Sequence, residues 1–273
     1  MARSLVEQQF GRHAANYVTS PPHAKGASLQ RLVELVKPGA DWQALDIATA
    51  AGHTAFAFAP HVAHVIASDI TDEMLVEAAK LAKSRGIGNV TFAKADAQAL
   101  PFENGRFDLV TCRIAPHHFP DIPRFIAEVW RVLKPGGTFA LVDNVSPDAE
   151  TTPGFTSDEL KAAAETYNTH EKLRDPSHGR CLTSAEWRDV ITGAGFDITH
   201  VEHLAKDMEF RPWVDRMEVP ANLVPRLEAM LLDAAPALAA FLRPRKEGDK
   251  LLFALDEIVI IARKSQACRS QAS

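Results

Sequence analysis

The sequence predicts an α/β fold around a largely parallel sheet, with enough chain for one large domain. Short apolar runs alternate with helical patterns through the first half of the chain, which is typical of repeated strand–helix–strand units. The chain has 273 residues, of which 46% are hydrophobic and 24% are charged, so that a full core can be buried. The apolar runs predict five successive strands, at residues 42–47, 62–68, 90–94, 107–112 and 138–142.

Two helices are predicted between these strands from apolar residues that recur on one helical face. The first spans residues 74–82 and the second spans residues 122–133. Asp121 is suited to be the N-cap of the second helix, with Pro123 in its first turn. We expect this helix to end at the breaker 134–137, which reads Lys-Pro-Gly-Gly.

Beyond residue 145 the regular alternation ends and longer polar segments appear. Capping boxes predict helix starts at 156–159 and 183–186, and apolar runs predict strands at 196–204 and 251–262. Pro236 is expected to end or kink an apolar helix near 227–232. We therefore expect a single domain in three parts. These are an N-terminal helical cover at 1–40 (its first helix at 9–17), a core at 41–145, and the rest of the sheet at 146–273 with cap insertions at 146–182 and 205–250.

Charge and cysteine content narrow the classes of function. The formal net charge is −5 and no block of Lys and Arg stands out, which argues against nucleic acid as a partner. Three widely spaced cysteines, Cys112, Cys181 and Cys268, predict neither a disulfide framework nor a zinc site and suit a reducing compartment. The N-terminus is polar, and no stretch approaches the ~18 apolar residues of a membrane span. We expect a cytoplasmic protein without membrane insertion.

The first strand runs directly into a turn of small residues. The segment 46–54 begins with Asp46 and carries Ala48, Ala50 and Gly52 before the next helix. Small side chains let a ligand approach the backbone closely, near the positive N-terminus of a helix. The spacing differs from the dinucleotide fingerprint G-x-G-x-x-G. Taken alone, the turn is also explained as a tight connection between a strand and a helix.

Acidic residues follow the next two strands. Asp69 lies 23 residues after Asp46, close to the ~20-residue offset at which a carboxylate meets ribose hydroxyls in related sheets. The alternative is an acid at a helix N-terminus, beside Thr71 and Asp72. Asp96 follows the third strand, in the segment 95–102.

These segments together resemble the class I S-adenosylmethionine (SAM) methyltransferases. The turn is similar to their D-x-G-x-G-x-G loop, and the segment at Asp96 to the one whose Asp accepts from the adenine amino group. Segments 105–110 and 130–137 resemble their fourth-strand and pre-fifth-strand signatures. The nearest resemblance is to the type 11 methyltransferase domain of ubiquinone and menaquinone biosynthesis. Residues 10–17 look like the leading segment that closes over the cofactor, and 112–119 like the loop after the fourth strand.

The resemblance implies a fold, a cofactor and a reaction. The fold is a Rossmann-like three-layer sandwich with cap insertions and a seven-stranded, mostly parallel sheet whose last strand is antiparallel. The cofactor is SAM, released as S-adenosylhomocysteine (SAH) after direct methyl transfer to a small-molecule acceptor. Ala48 and Ala50 stand where the family has glycine, and their methyl groups are expected to affect SAM affinity if the positions need a positive φ. The resemblance assigns cofactor binding to Tyr17, Asp46, Ala48, Ala50, Gly52, Asp69, Ile70, Met74, Asp96, Ala97, Cys112 and Arg113.

Three histidines are candidate catalytic residues. Alignment alone supplies ~7–11 kcal/mol in such displacements, and a positioned base adds roughly 10²- to 10⁴-fold. His117 and His118 follow the fourth strand, whose carboxyl end faces the ligand crevice of doubly wound sheets. His178 lies on the insertion after the fifth strand, where Asp175 is suited to orient it. The structural alternatives are a helix cap or packing for the adjacent pair, and a loop held by its own ion pairs for His178.

Several other interpretations stay open. The same fold and cofactor would serve a SAM sensor or scaffold, or a lyase or cyclase that uses the sulfonium only as a charge. A nicotinamide oxidoreductase is disfavoured by the glycine spacing, and no metal is expected because no acidic metal cluster is evident. The apolar stretch 223–242 is suited to roof a substrate pocket, and equally to core or homodimer packing.

Overall fold

The computed structural model describes residues 5–18 and 26–266, and the side chains of residues 5–11 and 26–266. Its helices are α1 (Leu5–Val18), α2 (Ala27–Val36), α3 (His53–Phe58), α4 (Asp72–Ser84), α5 (Ile122–Val132), α6 (Ser157–Arg174), α7 (Ser184–Gly193), α8 (Phe210–Asp215), α9 (Val224–Leu232) and α10 (Pro236–Leu242). Its strands are β1 (Gln43–Ile47), β2 (His64–Asp69), β3 (Val90–Lys94), β4 (Phe107–Arg113), β5 (Leu133–Asn144), β6 (Phe196–Glu209), β7 (Arg245–Glu247) and β8 (Lys250–Lys264).

The strands form a single mixed sheet in the order β3-β2-β1-β4-β5-β8-β6. Strands β1 to β5 pair in parallel, and β8 lies antiparallel between β5 and β6. The prediction of a mostly parallel sheet with an antiparallel last strand is confirmed. This order contains seven strands, which is the number expected. The described residues contain an eighth, the three-residue β7, which pairs with β8 across a turn at Gly248, where φ is +60°.

Two apolar layers cover the sheet. The side chains of β1 alternate between them, so that Ala44 faces one layer and Leu45 the other. On one face, α5 and α7 pack through residues such as Phe125 and Trp187. On the other face, α2, α3 and α4 pack through residues such as Leu32. Burial on both faces explains the nearly continuous apolar sequences of β1, β4 and β5, and the arrangement is the predicted three-layer sandwich.

A third apolar cluster lies over the far end of the sheet. It joins α6, α8, α9 and α10 with the end of β6 and the start of β8, and buries Tyr167, Trp213 and Phe241. Most of the apolar stretch 223–242 is therefore packing for this cap. Trp213 and Met208 also reach a pocket beneath it. The division of the chain at residues 40 and 145, with insertions at 146–182 and 205–250, stays a prediction.

Some predicted boundaries are wrong for identifiable reasons. Strand β6 continues to Glu209 instead of ending at residue 204, because it pairs with β8 along that whole length. Helix α9 ends at Leu232, and Pro236 begins α10 instead of ending the preceding helix. Proline is well tolerated at the first helical position, where its missing N–H has no helical partner. Among the described residues, no helix is long and apolar enough to span a membrane.

Candidate active site

Two pockets meet at the carboxyl edge of the parallel strands. The first lies between the turn after β1, the end of β2, the end of β4 and helix α1, and contains about 740 Å³ of space, part of it open to solvent. Sheets of this kind bind ligands at this edge. Its lining residues are Val6, Phe10, Ala48, Thr49, Ala50, Ala51, His53, Thr54, Asp69, Ile70, Thr71, Met74, Arg113, Ile114, Ala115, His118 and Phe119.

The turn after β1 has a left-handed backbone at all three positions where the family has glycine. The φ angles are +53° at Ala48, +46° at Ala50 and +86° at Gly52. A left-handed conformation costs a residue with a Cβ atom roughly 1–2 kcal/mol. Ala48 and Ala50 therefore have the positive φ at which their methyl groups were expected to affect SAM affinity. At Gly52 a Cβ would also lie 2.4 Å from the ring of Phe56, which requires glycine there.

Asp46 holds this turn from beneath rather than lining the pocket. Its buried carboxylate accepts hydrogen bonds from Oγ1 of Thr49 at 2.5 Å and from Oγ1 of Thr111 at 2.6 Å. Burial raises the pKa of Asp46 to about 6, although both hydrogen bonds act against this shift. The bond to Thr49 closes the turn on itself, and the bond to Thr111 ties it to β4.

Asp69 lies at the end of β2 and lines the first pocket. Its carboxylate accepts from the backbone N–H groups of Ala50 and Thr71, each at 2.9 Å. Burial raises the pKa of Asp69 despite these two hydrogen bonds. Each carboxylate oxygen has a second lone pair, so the side chain can still accept from two hydroxyl groups of a ligand.

The predicted cofactor residues separate into three groups. Six line the first pocket: Ala48, Ala50, Asp69, Ile70, Met74 and Arg113. Five lie outside its lining: Asp46, Gly52, Asp96, Ala97 and Cys112. Of these, Asp96 is exposed and accepts from the backbone N–H of Gln98, while burial raises the pKa of Cys112 well above its ordinary value. The side chain of Tyr17 lies outside the described residues. The cofactor roles of all twelve stay predictions.

Other residues of the first pocket were not found from the sequence. Thr54 accepts a 3.1 Å hydrogen bond from Nε of Arg113, which holds that buried guanidinium against α3. Ile114 also lines the pocket with a φ of +53°, rare for a β-branched residue. Periodicity and motif spacing carry no signal for a strained residue after a strand.

The second pocket adjoins the first under the cap and contains about 640 Å³, again partly open to solvent. Phe10, Ile114 and His118 line both pockets, so the two share a wall. The ring of Phe10 on α1 meets that of His118 edge to face, with centroids 4.9 Å apart. The remaining lining residues of the second pocket are His117, Asn144, Glu171, Arg174, Asp175, His178, Lys206, Met208, Trp213, Arg216 and Leu255.

All three predicted histidines reach the second pocket. The ring centroids of His117 and His118 are 4.3 Å apart, and that of His178 lies 5.6 Å from His117. Nδ1 of His117 lies 2.6 Å from Oδ1 of Asp143, a residue buried on β5. Burial lowers the pKa of His117, but the charge of Asp143 and the hydrogen bond outweigh it, so the pKa is raised overall.

The other two histidines are held as neutral rings. Nδ1 of His118 donates to the backbone oxygen of Ser177 at 3.1 Å, and Nε2 of His178 donates to Oδ1 of Asn168 at 3.0 Å. Burial and the charge of His117 lower the pKa of His118 to about 3. Burial, followed by the charges of His117 and His118, lowers the pKa of His178 to about 2. Asn168, rather than the expected Asp175, orients His178.

Charged residues of the cap complete the second pocket. Glu171 and Arg174 lie on the last turns of α6, with Oε2 and Nη1 3.6 Å apart. Lys206 of β6 donates to Oδ1 of Asn144 and Oε1 of Glu257. No sequence motif predicted these residues, because cap and sheet come together only in the fold. In the described part of the chain, no group of His, Cys, Asp and Glu has an arrangement suited to a metal ion.

This chain is similar to known proteins of one family. A family model described as a methyltransferase domain matches residues 44–137. The uncharacterized methyltransferase YcgJ of Bacillus subtilis is 33% identical over 216 residues, which cover 79% of this chain and 81% of YcgJ. The crystal structure of YcgJ superposes with a TM-score of 0.80 over 88% of this chain and 99% of that one. The ubiquinone/menaquinone biosynthesis C-methyltransferase UbiE of Brucella canis is 31% identical over 163 residues, 58% of this chain and 56% of UbiE.

Proposed function

Because this chain belongs to the methyltransferase family, we propose that it transfers a methyl group from SAM directly to a small-molecule acceptor. The observation that carries the proposal is the wall shared by the two pockets at His118 and Ile114. A donor in the first pocket and an acceptor in the second would meet there, enclosed between α1 and the cap. Proximity and alignment of the two reacting groups are the largest contributions that such a reaction requires.

The residues of the first pocket fit SAM. The Asp69 carboxylate is buried, preoriented by two backbone N–H groups, and able to accept from ribose hydroxyls. Ile70 and Met74 offer apolar surface beside it, and the small residues of the turn after β1 leave the backbone accessible. When bound, SAM supplies an electrophilic methyl group on a sulfonium centre.

The histidines of the second pocket divide the remaining tasks. Because Nδ1–H of His117 points to Asp143, its Nε2 carries the lone pair when the ring is neutral. Its raised pKa makes His117 the stronger proton acceptor of the three and suits it to be the general base. His118 has a low pKa and stays uncharged on the shared wall, so it adds no positive charge beside a cationic donor.

Isothermal titration calorimetry tests cofactor binding. We expect wild-type protein to bind SAM and SAH, and Asp69→Ala to weaken both by about 10- to 100-fold, the effect of losing hydrogen bonds to a charged group. Asp72→Ala is the matched control, since Asp72 is an exposed carboxylate three residues further on, at the start of α4, where it pairs with Lys94. Failure of wild-type protein to bind either compound would refute the proposal.

Methyl transfer itself is tested by radiolabel. With [methyl-³H]SAM and a metabolite extract of the source cells, wild-type protein should label a compound of low molecular mass. Binding of SAM without any labelled product would leave a cofactor-binding protein and contradict the transfer.

A further inference from the structure

Glu171 is a buried carboxylate in the second pocket, and one of its oxygens has no hydrogen-bond partner in the part of the chain that the structure describes. The residue is 5% exposed and lines the pocket from α6. No group among the described residues lies within hydrogen-bond distance of its Oε1. Burial raises the pKa of Glu171, against the opposing charges of Arg174 and His117.

The other oxygen of Glu171 is oriented by Arg174. Nη1 of Arg174 lies 3.6 Å from Oε2 of Glu171, and Nε of Arg174 donates to the backbone oxygen of Trp213 at 3.0 Å. The guanidinium also lies over the indole ring of Trp213, 4.5 Å from the centroid. Arg174 is thus held by three contacts and keeps the carboxylate in one orientation, with Oε1 left for a further donor.

A buried acceptor without a donor lowers the stability of a protein, and native proteins contain only a few such atoms. We propose that the acceptor molecule of the second pocket is a small water-soluble compound with an O–H or N–H group that donates to Oε1 of Glu171. Glu171 is then a specificity-determining residue for the acceptor. This inference rests on the proposed methyl transfer and adds the chemical class of the substrate.

The rest of the pocket wall supports a polar acceptor. Besides three histidines it carries Asp175, Lys206 and Arg216, and nine of its fourteen lining residues are polar or charged. A long hydrocarbon chain would have to desolvate these charged groups without offering them partners. A compound with several polar groups replaces the lost water contacts, as selective polar sites require.

The substitution Glu171→Gln isolates the hydrogen bond. Arg174 is a donor, so the amide oxygen of the glutamine will face it, and the amide NH₂ will stand where Oε1 stood. The NH₂ group of the glutamine then faces the O–H or N–H group of the substrate, so the hydrogen bond cannot form. The volume of the side chain is almost unchanged. Glu165→Gln is the matched control, because Glu165 is exposed on the same helix.

The experiment follows tritium from [methyl-³H]SAM into the water-soluble and the lipid fractions of a metabolite extract of the source cells. We expect label in the water-soluble fraction with wild type and Glu165→Gln, and about 10- to 100-fold less with Glu171→Gln. SAH affinity should be unchanged in Glu171→Gln, because Glu171 lies outside the lining of the first pocket. The midpoint of thermal unfolding should change little, because the amide oxygen keeps the contact with Arg174.

Three outcomes overturn the inference. Label confined to the lipid fraction would show a different class of acceptor. Equal labelling by Glu171→Gln and wild type would show that Oε1 does not contact the acceptor, and a drop in both unfolding midpoint and SAH affinity would show a structural role. No label with wild type despite SAM binding would instead refute the methyl transfer on which the inference rests.

Discussion

The imidazole of His117 and the carboxylate of Asp143 form a buried pair, with Nδ1 and Oδ1 2.6 Å apart. His117 follows β4 and Asp143 lies near the end of β5, so the parallel pairing of these strands brings the two residues together. The pair fixes the proton of His117 on Nδ1 and raises its pKa. Oδ2 of Asp143 has no partner among the described residues, so the carboxylate bonds to the histidine through one oxygen.

Replacement of Asp143 should change both activity and the pH dependence of stability. Asp143→Asn removes the charge that raises the pKa of His117, so we expect kcat to fall about 10²-fold or more and the acid limb of the pH–rate profile to move to lower pH. A raised folded-state pKa of histidine contributes stability that is complete below the unfolded value and is lost as pH rises through the folded value.

The stability lost in Asp143→Asn should therefore be larger at pH 6 than at pH 9. Urea unfolding of wild type and variant at the two pH values measures it. A loss that is the same at both values would show that Asp143 does not stabilise the protonated histidine.

Glycine at the two alanine positions of the turn after β1 should stabilise the protein and strengthen cofactor binding. Ala48→Gly and Ala50→Gly each remove the ~1–2 kcal/mol cost of a left-handed alanine and add the ~0.5–1 kcal/mol entropic cost of glycine. We expect a net gain of up to about 1.5 kcal/mol each in the free energy of unfolding, with tighter SAM binding in calorimetry. Ala51→Gly is the control. Ala51 has no positive φ, so it should lose stability, and a gain there equal to the others would contradict the argument.

Alanine at Gly52 should have the opposite effect. Its φ of +86° disfavours any Cβ, and the new methyl would lie 2.4 Å from the Phe56 ring. We expect Gly52→Ala to lower the free energy of unfolding by about 2–4 kcal/mol, the combined size of backbone strain and overpacking. Gly193→Ala, where no atom lies within 4 Å of the added methyl, should be neutral or stabilising. Thermal unfolding of both variants provides the comparison.

The buried Asp46 should make the protein less stable as the pH rises through the range where it ionises. Its folded pKa of about 6 lies above the ordinary value of 3.8, because burial disfavours the charged form. The protonated form is therefore favoured in the folded state, and stability from this group declines from pH 3.8 to pH 6. Asp46→Asn removes that decline, so its stability relative to wild type should improve by up to ~3 kcal/mol between pH 4 and pH 6.5. Urea unfolding of the two proteins at a series of pH values measures this difference. A difference that stays constant with pH would contradict the raised pKa of Asp46.

The local features of the fold were predictable because they depend on neighbouring residues. Capping boxes at Thr156 and Thr183 start helices α6 and α7 as expected, with both hydrogen bonds of each box formed. Asp121 caps α5 by accepting from the backbone N–H of Arg124. Long-range strand pairing was harder to predict from the sequence. The length of β6 and the presence of the short strand β7 both depend on pairing with β8, which follows them in the chain.

The candidate site shows the same division. Asp69, Ala48 and Ala50 were assigned from motif spacing together with the family resemblance. They line the first pocket because a strand, a tight turn and a helix place them within one local unit. Asp96 was assigned by the same reasoning and lies outside that lining. Glu171 and Lys206 carry no motif, and they reach the second pocket only through the packing of the cap on the sheet.

The sequence by itself determined the alternation of strands and helices, the largely parallel character of the sheet and the turn of small residues after β1. Hydrophobic periodicity, capping residues and small side chains act over a few residues, so they can be recognised in the sequence. The tertiary structure alone decided the partners of the three histidines, since Asp143, Ser177 and Asn168 all lie on other elements. It also decided that Glu171 lines a pocket while its Oε1 has no hydrogen-bond partner among the described residues, because burial and hydrogen bonding depend on what every other element places beside a group.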